Sequence, residues 1–267
     1  MSIDNKVDKS NGTSKLALLR QNRGIKKQEV DIEKAIDGFA SSIDSRAMMA
    51  EIARNSAIVN LIIDRSYSMD GTSWEIAEEI NEFARRQAVK AYTTMLSLTL
   101  FNDEVFTEFG KLNAKQIEEI EPWGCNGGTN IYDALFSAII PIQKTDANHK
   151  LHLVITDGQN GYSEHTQEQV QGLITSRVKS GEHVFLLYND DEYDSAKTYA
   201  KELGINPNNA VNFNRDGDGI KIIFQTIEDL LDGLRTKGTV PADWAKAITA
   251  HASNPLGIKA RETHYLK

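Results

Sequence analysis

Seven consecutive residues, Ala57-Ile58-Val59-Asn60-Leu61-Ile62-Ile63, are apolar but for one asparagine and rich in β-branched side chains. Such a run reads as a strand buried on both faces, the situation of an inner strand in a parallel sheet. Ligands of open α/β sheets collect beyond the carboxyl ends of the strands. At that edge, directly after the run, stands Asp64-Arg65-Ser66-Tyr67-Ser68, with oxygen-bearing side chains at alternate positions. One carboxylate and two hydroxyls are hard donors that suit Mg2+, Mn2+ or Ca2+ better than zinc.

Two further segments supply what an oxygen-coordinated cation would still lack. Gly127-Gly128-Thr129-Asn130 comes after a breaker-rich loop and opens an apolar-periodic helix near Ile131. Leu151 to Ile155 is a second buried-strand run, ending in Thr156-Asp157-Gly158. Asp64, Ser66, Ser68, Thr129 and Asp157 thus each fall at the start of a loop after a strand or just before a helix. In order and context they resemble the von Willebrand factor A domain and its metal-ion-dependent adhesion site, over roughly residues 56 to 236. The resemblance implies an α/β, doubly wound, mostly parallel six-stranded sheet with one antiparallel edge strand and helices on both faces. It also implies one divalent cation, Mg2+ or Mn2+ ahead of Ca2+, held by Ser66, Ser68 and Thr129, with Asp64 and Asp157 acting directly or through water.

A cation held largely by neutral hydroxyls keeps much of its charge and attracts a carboxylate. The implied function is therefore a divalent-dependent protein–protein interaction module that binds an Asp or Glu of its partner. The intracellular members, bacterial or phage, often work beside AAA+ ATPases or other products of one operon, which implies an adaptor or scaffold role. The chain departs from the common D-x-S-G-S-M form in carrying Tyr67 where Gly stands, while Met69 is retained. Neither Tyr67 nor Arg65 occupies a ligand position; Tyr67 would shape the surface beside the ion, and Arg65 could pair with Asp64 or a bound anion. A metal-assisted hydrolase such as a phosphatase is the alternative. The haloacid-type signature wants a second Asp where Ser66 stands, and the chain shows no nucleophile with a partner base, P-loop or dinucleotide motif, so no enzymatic activity is expected.

The pattern divides the chain into an N-terminal extension (1–54), the main domain (55–236) and a C-terminal extension (237–267). Within the domain, strands are expected at 57–63, 94–101, 105–109, 151–156, 183–188 and 210–213. Helices are expected at 73–92 with Ser73 as cap, and at 114–120, 131–143, 166–179, 193–203 and 218–234. Residues 28–54 hold one or two helices, with Ile36, Phe39, Met48, Met49 and Ile52 as apolar contacts, and Trp244 marks a C-terminal segment that packs on the domain or reaches another chain.

A net charge of −8, from 30 basic and 38 acidic residues, argues against nucleic acid as the primary partner. A single cysteine, Cys125, excludes an internal disulfide and fits a reducing, cytoplasmic setting. No run suits a signal peptide or a membrane span. Asn214 to Gly219 imitates half an EF-hand loop, but Gln225 stands where the bidentate Glu belongs, so the segment reads as a polar turn with Asp218 capping the last helix. The acidic run from Asn189 to Asp194 reads as a solvated helix start. The six histidines lack metal spacing and read as surface or partly buried rings, and Trp123 and Cys125 read as anchors of the Thr129 loop.

Overall fold

The computed structural model describes residues 43–190 and 195–253. The chain divides between Glu51 and Ile52, and only the helix α1 (Ile43–Arg54) crosses that boundary. The second unit holds the sheet and all the later helices.

Six strands form one sheet: β1 (Ala57–Asp64), β2 (Thr94–Phe101), β3 (Val105–Asn113), β4 (His149–Thr156), β5 (His183–Tyr188) and β6 (Ala210–Asn212), in the order β3-β2-β1-β4-β5-β6. All neighbours are parallel except the β2–β3 hairpin, which places the antiparallel strand at the edge. The helices are α2 (Ser73–Ala88), α3 (Ile131–Ile139), α4 (Gln167–Lys179), α5 (Ser195–Leu203), α6 (Gly217–Lys237) and α7 (Lys246–Ala252). This is the doubly wound α/β fold that the sequence implies.

Every residue of β1 is buried, and alternation sends its side chains to opposite faces. Val59, Leu61 and Ile63 pack with Ile76, Ile80 and Phe83 of α2 and with Phe224 and Leu231 of α6. Ile62 packs instead with Ile131 and Leu135 of α3 and Ile174 of α4. A strand covered on both sides has no use for polar alternation, which is why its run is continuously apolar. From β1 the chain winds outward to β2, then returns to place β4 on the other side of β1. The crevice between the carboxyl ends of β1 and β4 is the switch point where such sheets bind ligands.

Several boundaries differ from the sequence expectation. The spacing of Ile117 and Ile120 suggests a helix over 114–120, but only the 3-10 turn Ala114–Gln116 forms. Beyond it the chain is extended, because Asn81 of α2 takes both backbone groups of Ile120, at 2.9 and 3.0 Å. α2 stops at Ala88, and its cap position is Thr72, whose hydroxyl donates back to Met69 O at 2.7 Å. α3 ends at Ile139 and tightens into a 3-10 segment containing Pro141, which has no N–H to continue the α pattern. Asp216, not Asp218, caps α6 by accepting from Gly219 N at 2.7 Å.

Met48 and Met49 are more than half exposed, contrary to their expected role as contacts. At about 100° per residue Ala47, Met48, Met49, Ala50 and Ile52 fall on different sides of α1, so these residues form no single stripe to bury. Ile36 and Phe39 lie outside the described residues, as do 191–194 of the acidic run. The C-terminal segment packs on the domain: Trp244 meets Phe185 edge-on at 5.0 Å and Ile248 is buried.

Candidate metal centre

β1 ends at Asp64, whose side chain is turned inward and 1% exposed. Its Oδ1 accepts from Ser66 N at 2.7 Å, and its Oδ2 accepts from the Thr156 hydroxyl, the last residue of β4, at 2.5 Å. These bonds fix the carboxylate between the two strand ends. Residues Tyr67–Met69 then form a 3-10 turn, anchored by the fully buried Met69. The turn brings Ser66 Oγ to 3.2 Å from Ser68 Oγ, and Ser68 Oγ donates to Asp157 Oδ1 at 2.7 Å.

Thr129 arrives on a separate loop that is built, not floppy. Asn126 N donates to Arg65 O at 2.9 Å and Tyr67 N to Gly127 O at 3.2 Å, so this loop runs alongside the β1 loop. Asn102 and Asp103, from the tip of the β2–β3 hairpin, hold it from below. Asn102 Nδ2 donates to Asn126 Oδ1 at 2.7 Å, and Asp103 Oδ1 accepts from Gly128 N at 3.0 Å. Gly127 has φ +73°, and a Cβ there would run into the Asp103 carboxylate, so both conformation and space demand glycine. On its other side Thr129 O accepts from Gly161 N at 2.6 Å, and a Cβ at Gly158 would lie 2.6 Å from Thr129 Oγ1. The Thr129 hydroxyl is thereby pressed close against Gly158.

The structure brings all five residues singled out by the sequence to one sheet edge. Their donor set fits a hard divalent cation. Octahedral Mg2+ with ligands at about 2.1 Å wants adjacent oxygens about 3 Å apart, and the Ser66–Ser68 and Ser68–Asp157 separations of 3.2 and 2.7 Å bracket that. Among the described residues, no group of three or more His, Cys, Asp or Glu side chains is placed to hold a metal, so any ion here depends on the hydroxyls. Burial pushes the Asp64 carboxyl up to about 6, against the hydrogen bonds from Thr156 and Ser66 that pull it down; the nearby Asp157 adds to the rise.

Arg65 does not pair with Asp64; its guanidinium lies 4.3 Å over the ring of Phe106. Cys125 donates to Met69 O at 3.5 Å and Trp123 packs against the core, so both anchor the loop. Tyr67, in the loop after β1, and Tyr162, in the loop after β4, stand exposed at 75% and 90%. Three contributors have no signal in the sequence: Thr156, which orients Asp64; the Asn102–Asp103 pair; and Arg215. Arg215, in the stretch that imitates a calcium loop, reaches Asp157 Oδ2 with Nη1 at 2.7 Å and also donates to Ser68 O.

The von Willebrand factor type A domain model matches residues 59–223, more than half of the 267-residue chain. The chain belongs to that family. No curated protein matches this sequence. Among solved structures, proximal thread matrix protein 1 from the mussel byssus, with a zinc-occupied MIDAS motif, is 17% identical with a TM-score of 0.51, over 67% of this chain and 46% of that one. The pilus adhesin SpaC from Lactobacillus rhamnosus GG is 15% identical with the same TM-score of 0.51, over 67% of this chain and 30% of that one. The chain spans less than half the length of these two, and at such identities the likeness is one of fold. No helix among the described residues is long and apolar enough to cross a membrane.

Proposed function

We propose that this protein is a divalent-cation-dependent protein-binding module without enzymatic activity, working in a cytoplasmic assembly as an adaptor or scaffold. The observation that carries this reading is the run of side-chain oxygens from Ser66 through Ser68 to Asp157, with Asp64 tied to it through the Ser66 amide, at the switch point of the sheet. Ser66, Ser68 and Thr129 would hold Mg2+ or Mn2+ through their hydroxyls, with Asp64 and Asp157 in direct or water-mediated contact. A cation bound there supplies an electrophilic point for a carboxylate.

The residues of the chain do the rest. Thr156 and the Ser66 amide aim Asp64 and favour its ionised form against the effect of burial. Asn102 and Asp103 hold the Thr129 loop so that it needs little rearrangement to bind. The exposed rings of Tyr67 and Tyr162, in the loops after β1 and β4, offer rigid contact area, the kind that dominates binding energy at interfaces. The partner is a protein presenting an Asp or Glu, such as an AAA+ ATPase or another product of the same operon. Neither nucleic acid nor a membrane is the expected ligand.

Co-purification of partners in Mg2+, in EDTA and with Thr129→Ala tests the reading. Capture should depend on the ion and weaken in the variant. Equal capture in all three would remove the adhesion-site reading, and a metal-dependent phosphatase turnover lost in Asp64→Ala would put a hydrolase in its place.

A further inference from the structure

Resting on the proposed metal site, we propose that Arg215 is an internal cation that competes with the divalent ion for Asp157 and sets how tightly the site binds metal. Arg215 lies just before α6 and reaches across to the other two loops. Its Nη1 donates to Asp157 Oδ2 at 2.7 Å and to the backbone carbonyl of Ser68. Asp157 Oδ1 meanwhile accepts from Ser68 Oγ at 2.7 Å, so both oxygens of this carboxylate are engaged. The Asp157 side chain is 6% exposed and that of Arg215 is 26% exposed, so water screens the pair only in part.

A divalent ion brought to the Ser66–Ser68–Asp157 oxygens would meet a full positive charge already seated on one of them. The ion must therefore displace the guanidinium from Asp157 or bind against its repulsion; either lowers the apparent affinity. At an effective dielectric of about 20, a 2+ and a 1+ charge sharing one carboxylate repel by more than the equivalent of a tenfold affinity change. The displaced guanidinium stays on the rim of the site, where a carboxylate from the partner can take the place of Asp157. Ion binding and acid binding would then favour one another.

The test is calorimetric titration of the full chain with MgCl2 and with MnCl2, comparing wild type, Arg215→Gln, Arg215→Lys and Asp64→Ala. Arg215→Gln should bind both ions about tenfold or more tightly at low salt, with the gain shrinking as ionic strength rises. Arg215→Lys, which keeps the charge, should stay near wild type. In wild type, the Arg215 Nε–H resonance should shift with the same midpoint as ion binding, a readout that needs no variant to fold. The inference is overturned if Arg215→Gln binds equally or more weakly, if Arg215→Lys behaves like Gln, or if the resonance is unmoved at saturation. Binding that Asp64→Ala leaves intact, or no binding in wild type or Arg215→Gln, would overturn the metal site itself and the inference with it.

Discussion

Strands β1 and β4 carry two polar clusters, one near the middle of the sheet and one at its carboxyl edge, and the two are built on opposite terms. In the middle, Asn60 and His152 are register partners and fully buried. Asn60 Nδ2 donates to Ala138 O and to His152 Nδ1, both at 3.0 Å, and His152 Nε2 meets Glu182 Oε2 at 2.9 Å. Since Asn60 spends both N–H groups as donors, Nδ1 must accept and the imidazole proton sits on Nε2. Donors are matched inside the chain, and only Asn60 Oδ1 lacks a partner. At the edge, carboxylates and hydroxyls bring more lone pairs than hydrogens, and Tyr67 and Ser68 open to solvent. Matched donors make a polar cluster part of the architecture; surplus acceptors make it a place for a cation.

Two substitutions should separate the clusters cleanly. Asp64→Ala should weaken Mg2+ binding by more than the roughly 100-fold that loss of an orienting partner costs a metal site. Its thermal midpoint in EDTA should hold or rise, since burial already penalises that carboxylate. An unfolded Asp64→Ala would move Asp64 into the architectural class and break the contrast. His152→Leu should do the reverse. It strands the Asn60 amide and the Glu182 carboxylate, at a cost of about 2 kcal/mol or more in urea unfolding. Calorimetry on the same variant should find Mg2+ affinity within about twofold of wild type, because additivity holds for separate sites.

Thr156→Val sharpens the contrast, because Thr156 belongs to the same strand as His152 yet serves the edge. The swap keeps the shape but removes the hydroxyl that holds Asp64 Oδ2 and accepts from Gly158 N at 3.1 Å. Ion affinity should drop about tenfold, with smaller effect on stability than His152→Leu. An unchanged Mg2+ titration would mean that Asp64 needs no such support.

The parts of this molecule that can be read from its sequence are those whose cause is local. The strand at Ala57–Asp64 is legible because burial on both faces leaves an unbroken apolar run. Asp64, Ser66, Ser68 and Asp157 stand out in the sequence because each follows directly on an apolar strand run, and Thr129 because it stands just before a helix; what holds them in place does not stand out. Thr156 supports Asp64 from 92 positions away and Arg215 reaches Asp157 from 58, and no spacing rule encodes either contact. The segment after Gln116 misleads for the same reason, since Ile117 and Ile120 have helical spacing but a distant Asn81 decides the conformation. His152, expected as a surface or partly buried ring, is wholly buried, where Asn60 and Glu182 pair with its two nitrogens.

The smallest effect is a dependence on pH in which the two clusters pull against each other. Burial holds His152 below the usual 6.5, the Glu182 hydrogen bond offsets this only in part, and Lys150 and Arg177 push it further down. Protonating Nδ1 would also set its new N–H against the Asn60 N–H. As pH falls below about 6.5, the unfolded chain takes up a proton that the folded chain refuses, so stability falls by up to about 1.4 kcal/mol per pH unit. Asp64 has the opposite sign: its pKa is raised from 3.8 to about 6, so its protonation favours the folded chain, a gain that is lost as pH rises through about 6. Glu182, held low by the same network, does not enter this window. Wild type should therefore show a flattened profile in EDTA between about pH 7 and 5. Asp64→Asn removes one arm and should lose stability more steeply over that range, and adding His152→Leu should reduce the steepening, the remainder coming from His149 and His183, which burial also holds below the usual value. Urea unfolding of the three chains across the window decides it, and an Asp64→Asn profile as flat as wild type would mean that the folded chain protonates His152 as readily as the unfolded one.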